Sequence, residues 1–281
     1  MPPISVVIIT HNEEKNIERC LRSVLPVADE IVVLDSLSTD RTKEICHRFK
    51  VIFIEQPFLG YVDQKNKALE FASYPHVLSL DADEALSDEL AKSILEVKNN
   101  WNYDGYCFNR ITNYCGTWIN HCGWYPDRKL RLFDKRKGTW SGKIVHENYV
   151  LNDNSAPEFI SGDLLHYSFN SITQHVDKIK DFSSLGAKVQ FQKGKCPGLW
   201  KLILNPLWCF IHRYFVKLGF LDGYNGLVIC CLSAFANFIK YSMTRELFIA
   251  CGKKNVTEYN GGRFCRQDLG LAKQVHDHFL V

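Results

Sequence analysis

The chain has 281 residues, 46% of them hydrophobic, enough to bury one substantial core with a smaller appendage. Its 34 Lys and Arg against 31 Asp and Glu leave a formal charge of +3, far from the basic stripe of a nucleic-acid binder, so no nucleic-acid partner is expected. The 11 cysteines are odd in number and lack a Cys-x-x-Cys pair, which argues against a disulfide framework or a structural zinc site.

In chain order, Met1-Pro2-Pro3-Ile4-Ser5 enters an apolar run without the basic start and small-residue cleavage site of a secretory signal, which predicts a cytoplasmic protein. Apolar runs at 5–9, 30–34, 51–55 and 76–80 alternate with helical patterns, the signature of a parallel sheet built from strand, helix, strand units. The helix at 14–25 puts Ile17, Leu21, Val24 and Leu25 on one face, Ser38 is read as the cap of a helix through Thr42, Ile45 and Phe49, and a third helix covers 63–72. After Asp83 the reading is a helix at 87–97, a strand at 103–110, a loop-rich aromatic stretch over 113–140, a turn-rich break at 152–157, a strand at 162–167 and mostly helix from Ile172 onward. The domain reading is a catalytic region at 1–170, a helical extension at 171–254 and a polar tail at 255–281. No internal repeat or low-complexity tract is found.

In an open parallel sheet, ligands collect beyond the carboxyl ends of the strands. Polar residues stand there: Thr10-His11-Asn12-Glu13 after the first run, Asp35-Ser36 after the second and Asp81-Ala82-Asp83-Glu84 after the fourth. The Asp81-x-Asp83 pair offers hard oxygen ligands suited to Mg²⁺ or Mn²⁺, which bind through one or two carboxylates plus substrate phosphates; the same pair also suits a plain turn before the next helix. A nucleotidyltransferase would carry a glycine-rich phosphate loop where Thr10-His11-Asn12-Glu13 stands. A phosphatase would need its nucleophile on the first strand, and this pair follows the fourth.

The C-terminal third has a different character. Residues 202–220 carry Leu207, Trp208, Phe210, Ile211, Tyr214, Phe215 and Leu218 with Arg213 and Lys217 among them, which suits either a helix lying at a membrane interface or a hairpin packed on the catalytic region. The apolar run 227–239 contains Ser233 and Asn237 and falls short of the roughly 20 residues needed to cross a bilayer, so no spanning helix is expected.

The three ordered motifs, 4–13, 32–42 and 80–84, resemble glycosyltransferase family 2, and within it the group that adds glucose to the heptose of the lipopolysaccharide inner core. The likeness covers most of residues 4–250. It implies a GT-A-type α/β fold, a mostly parallel sheet flanked by helices with a C-terminal helical membrane-associating extension, and an inverting transfer of a sugar from a nucleotide-sugar donor such as UDP-glucose. It also implies a divalent metal, a glycolipid acceptor and peripheral contact with the cytoplasmic face of the inner membrane. The same resemblance puts Thr10, Asn12 and Asp35 on the nucleoside, and Lys65 of Gln64-Lys65-Asn66 and Asp81 on the donor. The metal falls to Asp81 and Asp83, and Glu147 of Lys143-Ile144-Val145-His146-Glu147 becomes the base. Trp124, Arg128 and Leu130-Arg131-Leu132-Phe133 match the pattern before that motif. Arg131 either neutralises donor phosphate or anchors Glu147, and His166 either reaches the metal or leaving group or is a core histidine. A catalytically inactive sugar-binding or scaffold protein of envelope assembly is the alternative outside enzymology.

Overall fold

The structure is a computed structural model, described here for residues 1–143, 146–152 and 155–252. The tail at 255–281 and two residues of the base motif, Ile144 and Val145, lie outside the described residues. The chain divides into two compact units, Met1–Ser171 and Ile172–Val281.

In the first unit, β1 (Ile4–Thr10), β2 (Glu30–Asp35), β3 (Ile52–Glu55) and β4 (His76–Asp81) pair in parallel in the order β3-β2-β1-β4. All four lie within a residue of the expected runs. β1 shows why they read as continuous apolar segments: successive side chains point to opposite faces, and both faces are covered. Ile4, Val6 and Ile8 enter the core under α1 (Ile17–Val24), α2 (Thr42–Cys46) and α4 (Asp88–Asn99), while Val7 and Ile9 pack with α3 (Tyr61–Phe71), Phe133 and Trp140.

Past β4 the sheet turns mixed. β8 (Asp127–Asp134) runs antiparallel to β4 and to β6 (Gly105–Tyr114), β11 (Glu158–Phe169) lies parallel to β6, and the short β5 (Glu84–Leu86) closes the edge. β7 (Thr117–Ile119) pairs with β6, and a separate hairpin joins β9 (Gly138–Lys143) to β10 (His146–Leu151). The loop expected at 113–140 is therefore largely strand, because partners distant in sequence complete pairings that no local pattern announces. Gly162 marks one tight crossing: its φ is +95°, and a Cβ there would sit 2.3 Å from the Leu90 nitrogen.

Helix ends differ from expectation in two places. Ser87 caps α4 by accepting from the Leu90 N–H, but Ser38 caps nothing, since α2 begins at Thr42 after Arg41. Leu25 falls just beyond α1 and is 50% exposed, while Ile17, Leu21 and Val24 are buried.

The second unit is helical among its described residues: α5 (Ile172–Gln192), α6 (Leu199–Ile211) and α7 (Gly223–Gly252), with α7 packed against both of the others. The expectation of no segment long enough to cross a bilayer is corrected here: Gly219–Cys251 is a 33-residue helical stretch that contains an 18-residue window of mean hydropathy 1.5. The short apolar run at 227–239 is extended on both sides by residues whose polar atoms the helix accommodates, such as Thr244, which donates to the Lys240 carbonyl. Length and composition alone allow this helix to cross a membrane.

Candidate active site

The carboxyl ends of the central strands meet in register, with Thr10 opposite Asp35 and Ile9 opposite Asp81. Asp35 is fully buried, and its carboxylate accepts from both the backbone N–H and the hydroxyl of Ser38. Asn12 sits at φ 54°, in the left-handed region that Asn tolerates better than most residues. Its N–H donates to Ser38 Oγ at 2.8 Å and its Oδ1 accepts from the Thr39 N–H at 2.8 Å. Thr10, Asn12 and Asp35 are thus brought together around one loop, and the buried Thr10 hydroxyl has no hydrogen-bond partner among the described residues. Asn12 does not cap α1, whose N-cap is Asn16.

The tripeptide Gln64-Lys65-Asn66 on α3 ties this loop to the rest of the site. Gln64 donates to Ser36 Oγ at 3.0 Å, and Asn66 both donates to the Trp140 carbonyl and accepts from the Trp140 N–H, each at 3.0 Å. Lys65, 1% exposed, directs its Nζ to Asp81 Oδ1 at 2.8 Å and to Glu147 Oε1 at 3.6 Å. Its ammonium meets protein carboxylates, and the Trp140 ring lies 4.7 Å away.

From Asp81 the ion pairs continue inward. Arg131 Nη2 lies 2.9 Å from Asp81 Oδ2 and 3.2 Å from Glu84 Oε1. Glu84, with a fully buried side chain, also takes Arg110 Nη1 at 3.1 Å and accepts from the Asp81 N–H at 3.0 Å, and Arg110 reaches Asp127 at 2.9 Å. Buried charges persist only when paired, and each member here is. Burial works to raise the Asp81 carboxyl, but Lys65 and Arg131 overcome it and hold it well below the usual carboxylate range. Burial and the adjacent Arg131 charge push the Lys65 ammonium down against the pull of Asp81, Glu84 and Glu147. Arg131 therefore anchors Asp81 and Glu84, a third outcome beside the two expected for it.

Asp83 takes a different partner: His166 Nε2 stands 3.2 Å from its Oδ2, with the two side chains 15% and 20% exposed respectively. The Thr112 hydroxyl lies 3.5 Å from His166 Nδ1. Among the described residues no group of three His, Cys, Asp or Glu could hold a metal unaided. A partly open carboxylate and imidazole still fit Mg²⁺ or Mn²⁺, because such ions complete their coordination with substrate phosphates and water. The two aspartates of the motif have thus separated, Asp81 toward buried cations and Asp83 toward His166.

Glu84, Arg110 and Trp140 were not singled out from the sequence. Glu84 had a signal, standing directly after the aspartate pair; Arg110 and Trp140 had none, being single residues inside strands. Arg128, by contrast, is exposed and lies over the Phe159 ring at 4.9 Å, outside this chain of charges. A cavity of about 160 Å³ is lined by Arg110, Arg131, Trp140 and Glu147, and one of about 340 Å³ by Arg110, Trp124, His166 and Phe169.

Residues 5–154 match the profile described as Glycosyl transferase family 2. A glycosyltransferase of Rickettsia prowazekii is 31% identical, over 98% of this chain and 97% of its own. The lipopolysaccharide core biosynthesis glycosyltransferase LpsC of Rhizobium meliloti is 32% identical, over 83% of this chain and 85% of its own. Among solved structures, TarS 1-349 of S. aureus covers 89% of this chain and 92% of its own, at 16% identity and a TM-score of 0.41.

Proposed function

Because the chain belongs to glycosyltransferase family 2, we propose that it moves a sugar, with inversion, from a nucleotide diphosphate sugar such as UDP-glucose to a glycolipid acceptor of the lipopolysaccharide core type. The observation that carries this reading is Glu147, a carboxylate that opens onto a cavity 3.6 Å from the lysine that also holds Asp81. Inverting transfer needs one base on the acceptor side and positive charge at the departing diphosphate. Glu147 takes the acceptor hydroxyl proton as the new C–O bond forms at the anomeric carbon and the bond to the diphosphate breaks. Thr10, Asn12 and Asp35 hold the nucleoside, the unmatched Thr10 hydroxyl being ready to meet it. Lys65 and Arg131 act through Asp81, keeping its carboxylate ionised and fixed at the end of β4.

Asp83 and His166 would hold a divalent metal together with the donor phosphates, and that ion supplies Lewis-acid neutralisation of the leaving group. Calorimetric titration with nucleotide sugars, with and without Mn²⁺, tests the donor half. Binding of one nucleoside that needs Mn²⁺ and is lost in Asp83→Ala is the expected result; binding indifferent to both would sink the metal-dependent reading.

The acceptor class agrees with the second unit. On α6 and the turn after it, Trp200, Ile203, Leu207, Trp208 and Phe215 are each more than half exposed. From Lys193 to Leu221 the chain carries Lys193, Lys195, Lys201, Arg213 and Lys217 and no acidic residue. Apolar anchors with basic neighbours suit the surface of an anionic leaflet, so the protein works at the cytoplasmic face of the inner membrane. Co-sedimentation with phosphatidylglycerol vesicles, weakened in a Trp200→Ser, Trp208→Ser double variant and absent with phosphatidylcholine alone, checks this contact.

A further inference from the structure

The cavity of about 160 Å³ onto which Glu147 opens has walls of unequal charge. Arg110, Lys129 and Arg131 line it beside the carboxylate of Glu147, while the acids that pair with those cations, Asp81, Glu84 and Asp127, do not. Two nearly buried residues of the same lining also carry donors with no hydrogen-bond partner among the described residues: Arg131, 4% exposed, at Nε and Nη1, and Trp140, 3% exposed, at its indole Nε1. Buried N–H groups are costly to leave unmatched, and a guanidinium with open donors is suited to oxyanions.

The cavity is far below the roughly 300–1,000 Å³ of a site for a whole drug-sized ligand, so it receives part of one. Its lining comes from β6, β8, β9 and β10, with nothing from the ends of β1 and β2 where Thr10 and Asp35 stand. A base must lie within hydrogen-bond reach of the hydroxyl it serves, so the cavity it opens onto faces the acceptor. Resting on the transferase reading above, the geometry points to a subsite for an oxyanion, carboxylate or phosphate, carried by the acceptor sugar near the hydroxyl that Glu147 activates. Arg131 and Trp140 supply the buried donors and Lys129 the cation at the mouth, where its side chain is 28% exposed.

The test is calorimetry on the full chain with glucose 6-phosphate, glucuronate and glucose, each with and without saturating UDP and Mn²⁺. One or both anionic sugars are expected to bind about tenfold or more tighter than glucose, the increment of one charge-assisted contact. Whichever anion binds tighter identifies the source as a phosphorylated or a uronic acceptor. UDP should not displace them, and Lys129→Glu should weaken them about tenfold while leaving UDP binding unchanged. Three results overturn the subsite: no preference for the anionic sugars over glucose, displacement by UDP, which would give the cavity to the donor diphosphate, or indifference to Lys129→Glu. Anionic preference in a protein that binds no nucleotide would instead keep the subsite and remove the transferase reading beneath it.

Discussion

The two halves of the sheet treat polar residues in opposite ways. In β3-β2-β1-β4 the strand interiors are apolar or neutral and the charges stand at the ends, where Asn12 and Asp35 are organised by loop hydrogen bonds with Ser38 and Thr39. In the mixed half the charges stand inside or beside strands, with Arg110 on β6, Arg131 on β8 and Glu84 on β5 locked into one buried series of ion pairs. Parallel strands covered on both faces have no place for a charge except their ends. The mixed half leaves interior positions facing the cavities, and charges there survive by pairing. Lys65 ties the parallel half to the separate β9–β10 hairpin, since it rides on α3 and reaches both Asp81 on β4 and Glu147 on β10.

The largest effect expected from this contrast is catalytic. Glu147→Gln should lower kcat for sugar transfer by about 10²–10⁴-fold, the usual worth of a general base, with an unchanged melting temperature. Wild-type turnover by that variant would take the reaction away from the β9–β10 hairpin and the charges it faces. The next effect is on stability. Arg131→Met strips a cation from Asp81 and Glu84 and should cost about 3–5 kcal/mol in denaturant unfolding, as breaking a buried pair does. Thr10→Val removes a hydroxyl that has no partner among the described residues and should stay within about 1 kcal/mol of the wild type. Equal costs for the two would erase the difference between the halves.

The smallest effect lies at the opposite, amino-terminal end of the parallel strands. Asp29 accepts from the Ile4 N–H at 2.8 Å and pairs with Lys98. Burial acts to raise its carboxyl, but the Lys98 and Ile4 hydrogen bonds prevail and lower it. A carboxyl depressed in the folded state adds stability that is present above its unfolded value, about 3.9, and lost as pH falls through the folded one. The wild type should therefore lose stability below about pH 4 more steeply than Asp29→Asn. Identical acid limbs in urea melts at pH 5 and pH 3 would show that Asp29 contributes nothing through its charge.

Legibility followed the same division. The four parallel strands could be read because a fully covered strand is a continuous apolar run, and the donor-side candidates because they follow those runs directly. The segments of β7 and β8 read as loop in the sequence, since short and charged stretches become strands only through pairing with β4 and β6. Ser38 reads as a helix cap because a serine before a helical pattern usually is one; in the fold Asp35 and Asn12 claim its hydroxyl first.

By itself the sequence determined the family, the α/β layering of the first third, the positions of the two aspartates and the apolar, basic character of the C-terminal helices. These depend on residue order and period, which are local. Only the tertiary structure decided that Asp81 and Asp83 part company, that Arg131 serves Asp81 and Glu84, and that Arg110 and Trp140 belong to the site at all. Such pairings join residues far apart in the chain: Glu84 to Arg110 spans 26 positions, Asp81 to Arg131 spans 50 and Asn66 to Trp140 spans 74. A buried charge is satisfied by whichever partner the fold carries to it, and that choice is made by strand register and helix placement rather than by neighbours in the chain.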